Sequence, residues 1–309
     1  MSRTTLITRP RRAQRDDPAE RSILSSLDRR HPATRAALLA TTSLVIIGLV
    51  IVSVGPVLWL FKSATSTTTE ILSDPFGLWP TGIHWENFGE AFRRVQFGTY
   101  LTNTLWICLG NWFFGMAVST TGAYVIAILR PAWAKLLSGA VLATLFIPGV
   151  VSLVALYLTV TNVPVLNINL INTFWAVWLP AGASAFNVLL LQRAFADLPQ
   201  DIFDAARIDG AGDFRIFWQL VLPMSRPVLG VVSLLTIVAA YKEFLWPLLV
   251  LPKTELQPVS VALARLQSAT ELSAFMAALF ITLIIPVVVF ILAQRQFLTA
   301  AGSSGAIKG

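Results

Sequence analysis

The chain has 309 residues, 55% hydrophobic and 13% charged, about half the charged share of an ordinary soluble domain. That excludes a water-soluble globule and, at about 20 apolar residues per bilayer crossing, leaves room for several crossings but no large second domain. The net charge of +7 does not describe a nucleic-acid surface, because nine of the 23 basic residues lie between Arg3 and Arg35, interleaved with Asp16, Asp17, Glu20 and Asp28; residues 1–35 are expected to be a disordered cytoplasmic basic tail.

Long apolar runs predict an all-α integral membrane protein with six transmembrane helices at about 36–61, 99–128, 137–160, 171–191, 227–250 and 275–293. The first run outlasts a signal-peptide core and lacks a small-residue cleavage site, so it is read as retained. The single Cys108 lies in the second run and supports neither a disulfide framework nor a cysteine metal site. Basic residues accumulate where loops stay in the cytoplasm. Segments 1–35, 129–136, 192–226 and 294–309 hold 17 of them against 5 in segments 62–98, 161–170 and 251–274, which places both termini, including the tail 294–309, in the cytoplasm.

Pro148-Gly149, Pro180, Gly182, Pro247 and Pro286 interrupt the later spans. Backbone groups freed at membrane depth need protein or cavity water, which suits a translocation pathway and equally suits ordinary kinks against neighbouring helices.

The inner segment 192–226 contains DIFDAARIDGAGDFRIFWQLVLPMSRP, Asp201 to Pro227. It reads as two short helices about a glycine bend, with Pro199 before the first, Gly210 and Gly212 in the bend and Asp213 capping the second. Phe214, Phe217, Trp218 and Val221 recur at helical spacing, and Ile216 and Leu220 make the opposite side apolar too. Such a helix wants burial nearly all round, in a partner's slot or at the lipid interface. In the fifth span, Lys242 and Glu243 are costly unless paired or hydrated, and as sequence neighbours they diverge by about 100° on a helix. One pairing with a companion chain while the other lines a path, snorkelling, and a misplaced span boundary are all open readings. Asn111 and Asn187 suit interhelical hydrogen bonds or contact with solute hydroxyls.

Asp204-Ala205-Ala206, three residues, Gly210, nine residues, Leu220, one residue, Leu222-Pro223 resembles the EAA signature of permease subunits in binding-protein-dependent ABC importers, with Asp for Glu and Leu for Ile. The resemblance runs from about Ala36 to Gly309 and is closest to the carbohydrate branch typified by the smaller maltose-permease subunit. Pro56–Ile71, Asn87–Phe92, Tyr100–Leu105 and Gly305–Gly309 support it; Tyr241-Lys242 depart from that branch's usual Trp-Asn.

The resemblance implies a type I importer permease fold over 36–293 in a bacterial inner membrane, with 192–226 as the cytoplasmic coupling loop. Asp204, Ala205, Ala206, Gly210, Phe214 and Phe217 would meet a separate ATPase subunit, while Asn187, Lys242 and Glu243 are possible translocation-path residues. It further implies alternating access for a sugar or oligosaccharide. Expected partners are a second permease chain, two ATPase subunits and an extracytoplasmic sugar-binding protein, which the outer loop 251–274 would contact. ATP and Mg belong to the ATPase subunits, because the sequence lacks a G-x-x-x-x-G-K-[ST] loop. An enzyme within the chain is disfavoured, since His31 and His84 fall outside the predicted spans and neither G-x-S-x-G nor H-E-x-x-H occurs. A stand-alone secondary transporter or channel fits the six spans but gives no reason for the apolar inner loop.

Overall fold

The structure is a computed structural model that describes the backbone of residues 32–94 and 96–306. The expected tail 1–35 lies outside the described residues except for Pro32–Arg35, which form the first turn of helix α1, Pro32–Thr65. The chain divides into two units at Pro56. In the first, α1 leaves Leu44, Ile46, Leu49, Ile51 and Val52 more than half exposed, as a helix with an all-round apolar surface must when lipid rather than water is its solvent.

The second unit is built on α4, Phe97–Tyr124, extended by a π-helical turn over Val125–Leu129. Against it pack α7 (Trp175–Ala181), α8 (Ala185–Ala196) and α12 (Arg226–Lys242). Small residues on α4 allow the approach: a Cβ on Gly115 would lie 3.3 Å from the Thr236 Cγ2 atom and 3.5 Å from the Ala181 carbonyl. At one end of α4, Asn103 Nδ2 donates to the carbonyls of Glu255 (2.7 Å) and Gln257 (3.1 Å), and the Val259 N–H donates to Thr104 Oγ1 (2.9 Å). At the other end, Tyr124 Oη donates to the Asp213 carbonyl (2.9 Å).

The remaining helices are α2 (Thr68–Ser73), α3 (Glu86–Arg94), α5 (Ala134–Thr144), α6 (Gly149–Thr161), α9 (Gln200–Ile208), α10 (Asp213–Ile216), α11 (Leu222–Met224), α13 (Leu245–Val250), α14 (Val259–Leu266) and α15 (Leu272–Ala306). Among the described residues there is no strand, only one isolated bridge between Val163 and Ile168. Among the described residues four helical stretches are long and apolar enough to cross a membrane: Pro32–Thr65, Phe97–Leu129, Trp175–Ala196 and Leu272–Leu292. Two bent pairs, α5 with α6 (108°) and Asp213–Met224 with α12 (82°), bring the number to six if each counts as one span.

Proline arithmetic explains the breaks. A proline removes its own N–H and crowds the carbonyl four residues earlier. Pro148 thus points to Thr144, where α5 ends, and Pro247 points to Glu243, just after the end of α12. The predicted fifth span, 227–250, is therefore divided at Glu243-Phe244 into α12 and α13. The freed carbonyls find donors: Ser260 Oγ donates to the Glu243 carbonyl (2.7 Å), Trp246 Nε1 to Ala176 (3.0 Å), four residues before Pro180, and Tyr241 Oη to Thr282 (2.7 Å), four before Pro286. The segment Tyr241–Trp246 consequently stitches α7, α12 and α15 together.

The segment 251–274 is packed more deeply than a solvated connector. Gln257, Val259, Val261, Ala262 and Leu263 are buried, and Val259, Ala262 and Leu263 share a cluster with Phe97, Tyr100 and Phe275. Its exposed parts are Pro252–Glu255 and residues 264–271 apart from Leu266 and Thr270.

Candidate functional site

Two regions carry the residues singled out in the sequence. The first is the hairpin α9 to α11. Pro199 precedes α9 as its N-cap, and Asp201 lies in the first turn, where negative charge is favourable. Gly210 has φ +79° and open space around the position a Cβ would take. It is glycine for backbone reasons, since the left-handed region costs other residues about 1–2 kcal/mol. Gly212, not Asp213, occupies the N-cap of α10, with no side-chain cap bond; Asp213 begins the helix, and its carbonyl receives the Tyr124 hydroxyl.

One face of this hairpin is anchored. Phe203, Ile216, Phe217 and Val221 are buried in a cluster with Tyr124, Ala127, Leu191 and Phe195 from the ends of α4 and α8. Phe217, expected on the partner-facing side with Phe214, instead lies inside this cluster, its ring 5.1 Å from that of Tyr124. On a helical wheel Phe217 lies about 60° from Phe214, and the edge of the buried face falls between them because Phe217 sits beside Ile216 and Leu220; the π-helical turn over Phe217–Val221 then carries Val221 to the same buried side. The other face is open: Ile208 is 86% exposed, Phe214 78% and Trp218 55%, with the Phe214 and Trp218 rings 6.2 Å apart. Ala205 is exposed, Ala206 half-buried, and Asp204 exposed and paired with Arg207 (Oδ1 to Nη1, 3.1 Å). A hairpin fixed to the bundle on one side and apolar on the other can transmit a push from whatever covers it.

The second region is a cavity of about 410 Å³ between α4, the break separating α7 from α8, and α12. Asn111, Ser184, Asn187, Thr236 and Glu243 supply its polar wall, and Phe186, Leu235, Ala239 and Ala240 apolar surface. Asn187 makes an interhelical bond, Nδ2 to Thr236 Oγ1 (3.0 Å), while buried Asn111 has a carbonyl oxygen with no hydrogen-bond partner. Glu243 follows the last residue of α12 in an extended conformation, ψ 127°, and its Oε1 accepts the Trp246 N–H (3.3 Å). The carboxylate thereby serves a donor left over at the start of α13. Lys242 does not join it: Lys242 lines a separate, apolar cavity with Leu60, Val238, Leu279 and Pro286. The structure thus brings Asn187 and Glu243 together and sends Lys242 elsewhere. Ser184 and Thr236 were not singled out by sequence; Gly182, just before Ser184, was the available signal.

Among the described residues no group of three or more His, Cys, Asp or Glu side chains could hold a metal ion.

The sequence profile of the binding-protein-dependent transport system inner membrane components matches residues 36–298. The chain is 31% identical over 278 residues to the diacetylchitobiose uptake system permease protein NgcG of Streptomyces coelicolor, covering 88% of each chain. It is 29% identical over 264 residues to the sn-glycerol-3-phosphate transport system permease protein UgpE of Yersinia pestis, covering 82% of this chain and 92% of the relative. In fold it is similar to a chain of a bacterial ABC transporter involved in import of the acidic polysaccharide alginate, with a TM-score of 0.73 at 19% identity, over 89% of this chain and 99% of the other. A second match, TM-score 0.62 at 17% identity over 84% and 94%, is to the bacterial alginate ABC transporter in complex with an alginate pentasaccharide-bound periplasmic protein.

Proposed function

The chain belongs to the family of binding-protein-dependent transport system inner membrane components, as a permease subunit of an ABC importer and not an enzyme, and on that premise we propose that it carries a sugar or oligosaccharide. Its Streptomyces relative is a diacetylchitobiose permease, and the alginate importer shares its fold. In this reading both termini face the cytoplasm. The chain works beside a second permease and two ATPase subunits that hold ATP and Mg, and it receives solute from an extracytoplasmic binding protein. Asp204, Ala205, Ala206 and Gly210 form the bend that enters the ATPase, with Ile208, Phe214 and Trp218 as its apolar contacts. Phe217 acts from inside, holding the hairpin to α4.

The observation that carries this reading is the two-faced hairpin: exposed Ile208, Phe214 and Trp218 opposite buried Phe203, Ile216 and Phe217. Large exposed apolar side chains on a loop need a cover, and rigid attachment of the other face lets the cover's movement reach the helices. The cavity with Asn187 and Glu243 supplies the path that those helices open and close.

Reconstitution of the chain with its companion permease, ATPase subunits and binding protein tests the proposal. Uptake of a labelled oligosaccharide is expected only with ATP and all components present. Ion-driven uptake by this chain alone would overturn it.

A further inference from the structure

We infer that a second cavity, of about 700 Å³ where the extended end of α4, the start of α5 and the last turns of α8 meet, holds the headgroup of an anionic phospholipid of the cytoplasmic leaflet. The choice of leaflet rests on the importer reading given above; the site itself follows from the cavity's wall and from its level in the bilayer.

The wall offers positive charge and donors. Arg130 and Lys135 line it, and among the described residues no carboxylate lines it with them or lies within ion-pair distance of either. Arg130 commits its Nε to the Ala127 carbonyl (2.7 Å), which leaves its two Nη groups and the Lys135 ammonium for a ligand. The Ser138 hydroxyl donates to Gln192 Oε1 (3.0 Å), so the Gln192 amide N–H groups are also uncommitted; the side-chain acceptors are the remaining lone pairs of those two residues, and donors and cations predominate. A phosphate brings acceptor oxygens and the opposite charge. Arg130 also ends the π-helical turn at φ +47°, a place where glycine is usual because other residues are strained there. Basic residues collect in inner connections in any case, but that rule requires neither that two of them share one cavity nor that an arginine take a glycine's position.

The level is that of lipid headgroups. The apolar runs of the second, third and fourth spans stop at about 128, begin at about 137 and stop at about 191. Arg130 and Lys135 fall in the gap between the first two, Gln192 just past the end of the last, and Ser138 just inside the third span, so three segments reach the bilayer border at this one cavity. Its surroundings face lipid: Trp133 is 55% exposed and Leu136 78%, and tryptophan favours the border between headgroups and hydrocarbon. Ile126 and Ala132 give the wall an apolar side, suited to the glycerol and upper acyl carbons. An acidic protein surface would match the cations but not the exposed tryptophan and leucine beside them, whereas an anionic headgroup joined to hydrocarbon matches both.

The test uses the assembled importer in vesicles of equal parts phosphatidylglycerol and phosphatidylcholine with identical acyl chains. Trp133 is replaced by the photoreactive p-benzoylphenylalanine, and lipid adducts on this chain are read by peptide mass. Phosphatidylcholine has the same phosphate but carries its own cation, so it reports the lipid contact without the net charge. Phosphatidylglycerol adducts should exceed phosphatidylcholine adducts by about five-fold or more. The excess should persist in Lys135→Arg and in Arg193→Gln, which removes a cation of α8 that pairs with Asp197 outside the cavity, and should fall toward one in Lys135→Gln and in Arg130→Gly, a variant that suits the backbone angle at that position. Inorganic phosphate at constant ionic strength should leave the excess unchanged. An adduct ratio near one, equal falls in Arg193→Gln and Lys135→Gln, displacement by inorganic phosphate, or adducts to a partner subunit in place of lipid would overturn the inference. ATP-dependent uptake by the same vesicles before illumination keeps the two readings apart: uptake with no lipid preference defeats the lipid site alone, whereas lipid preference without ATP-driven uptake defeats the importer assignment alone.

Discussion

Tyr241→Phe should destabilise the bundle through a carbonyl that a proline elsewhere has orphaned. The Tyr241 hydroxyl donates to the Thr282 carbonyl at 2.7 Å, a group that Pro286 cannot serve. Phenylalanine keeps the ring packing, so the loss is the unmet carbonyl, about 1–3 kcal/mol in a water-poor setting. The origin of the need can be separated from the bond itself. Pro286→Ala restores an N–H that can close the ordinary helical bond to Thr282, so Tyr241→Phe in that background should cost little. The double-mutant cycle should therefore show a coupling of about 1–3 kcal/mol, read from equilibrium unfolding of the four variants in mixed micelles, whereas independent sites add within about 0.5 kcal/mol. Additive effects would refute the claim that Tyr241 answers for Pro286, and with it the stitching role of residues 241–246.

Gly210→Val should weaken association with the ATPase subunits by roughly ten-fold, from about 1–2 kcal/mol of left-handed strain at φ +79°. Gly210→Asn should retain most of the affinity, because asparagine tolerates the left-handed region and nothing lies within 4 Å of the added Cβ; co-purification yield measures both, and equal losses would mean that the partner rather than the backbone demands glycine. Phe217→Ala should lower the stability of the permease by about 3–5 kcal/mol, seen in denaturant unfolding, while Phe214→Ala should leave unfolding nearly unchanged and reduce ATPase binding. The reverse assignment would show that the hairpin faces the other way.

The helical membrane architecture was legible because apolar runs of bilayer length have few other uses, and residues 36–298 carry the family profile that the hairpin's spacing suggested. Gly210 was legible for a local reason, a backbone angle that belongs to its own residue. Phe217 was not: it sits about 60° from Phe214 on the helix, at the edge between the buried and the open face, and in a helix apolar nearly all round the hydrophobic periodicity does not mark that edge. Lys242 and Glu243 were read as charges within a continuous helix, and their divergence was anticipated from the 100° step. The actual cause is a break between α12 and α13, four residues upstream of Pro247, a position that the proline alone could have indicated. The hydrogen-bond partners of the freed carbonyls, Trp246 with Ala176 and Tyr241 with Thr282, were invisible because they join residues 70 and 41 apart in the chain.

The bonds at the two extremities of α4 make that helix a seesaw. Asn103 and Thr104 grip the strap around Glu255–Val259, and Tyr124, 21 residues on and about 32 Å away at 1.5 Å per residue, grips the start of α10. Gly115, where α12 crosses closely, lies between them and is the natural fulcrum. A load on either grip would therefore fall along one continuous helix, with no relay of side chains in between.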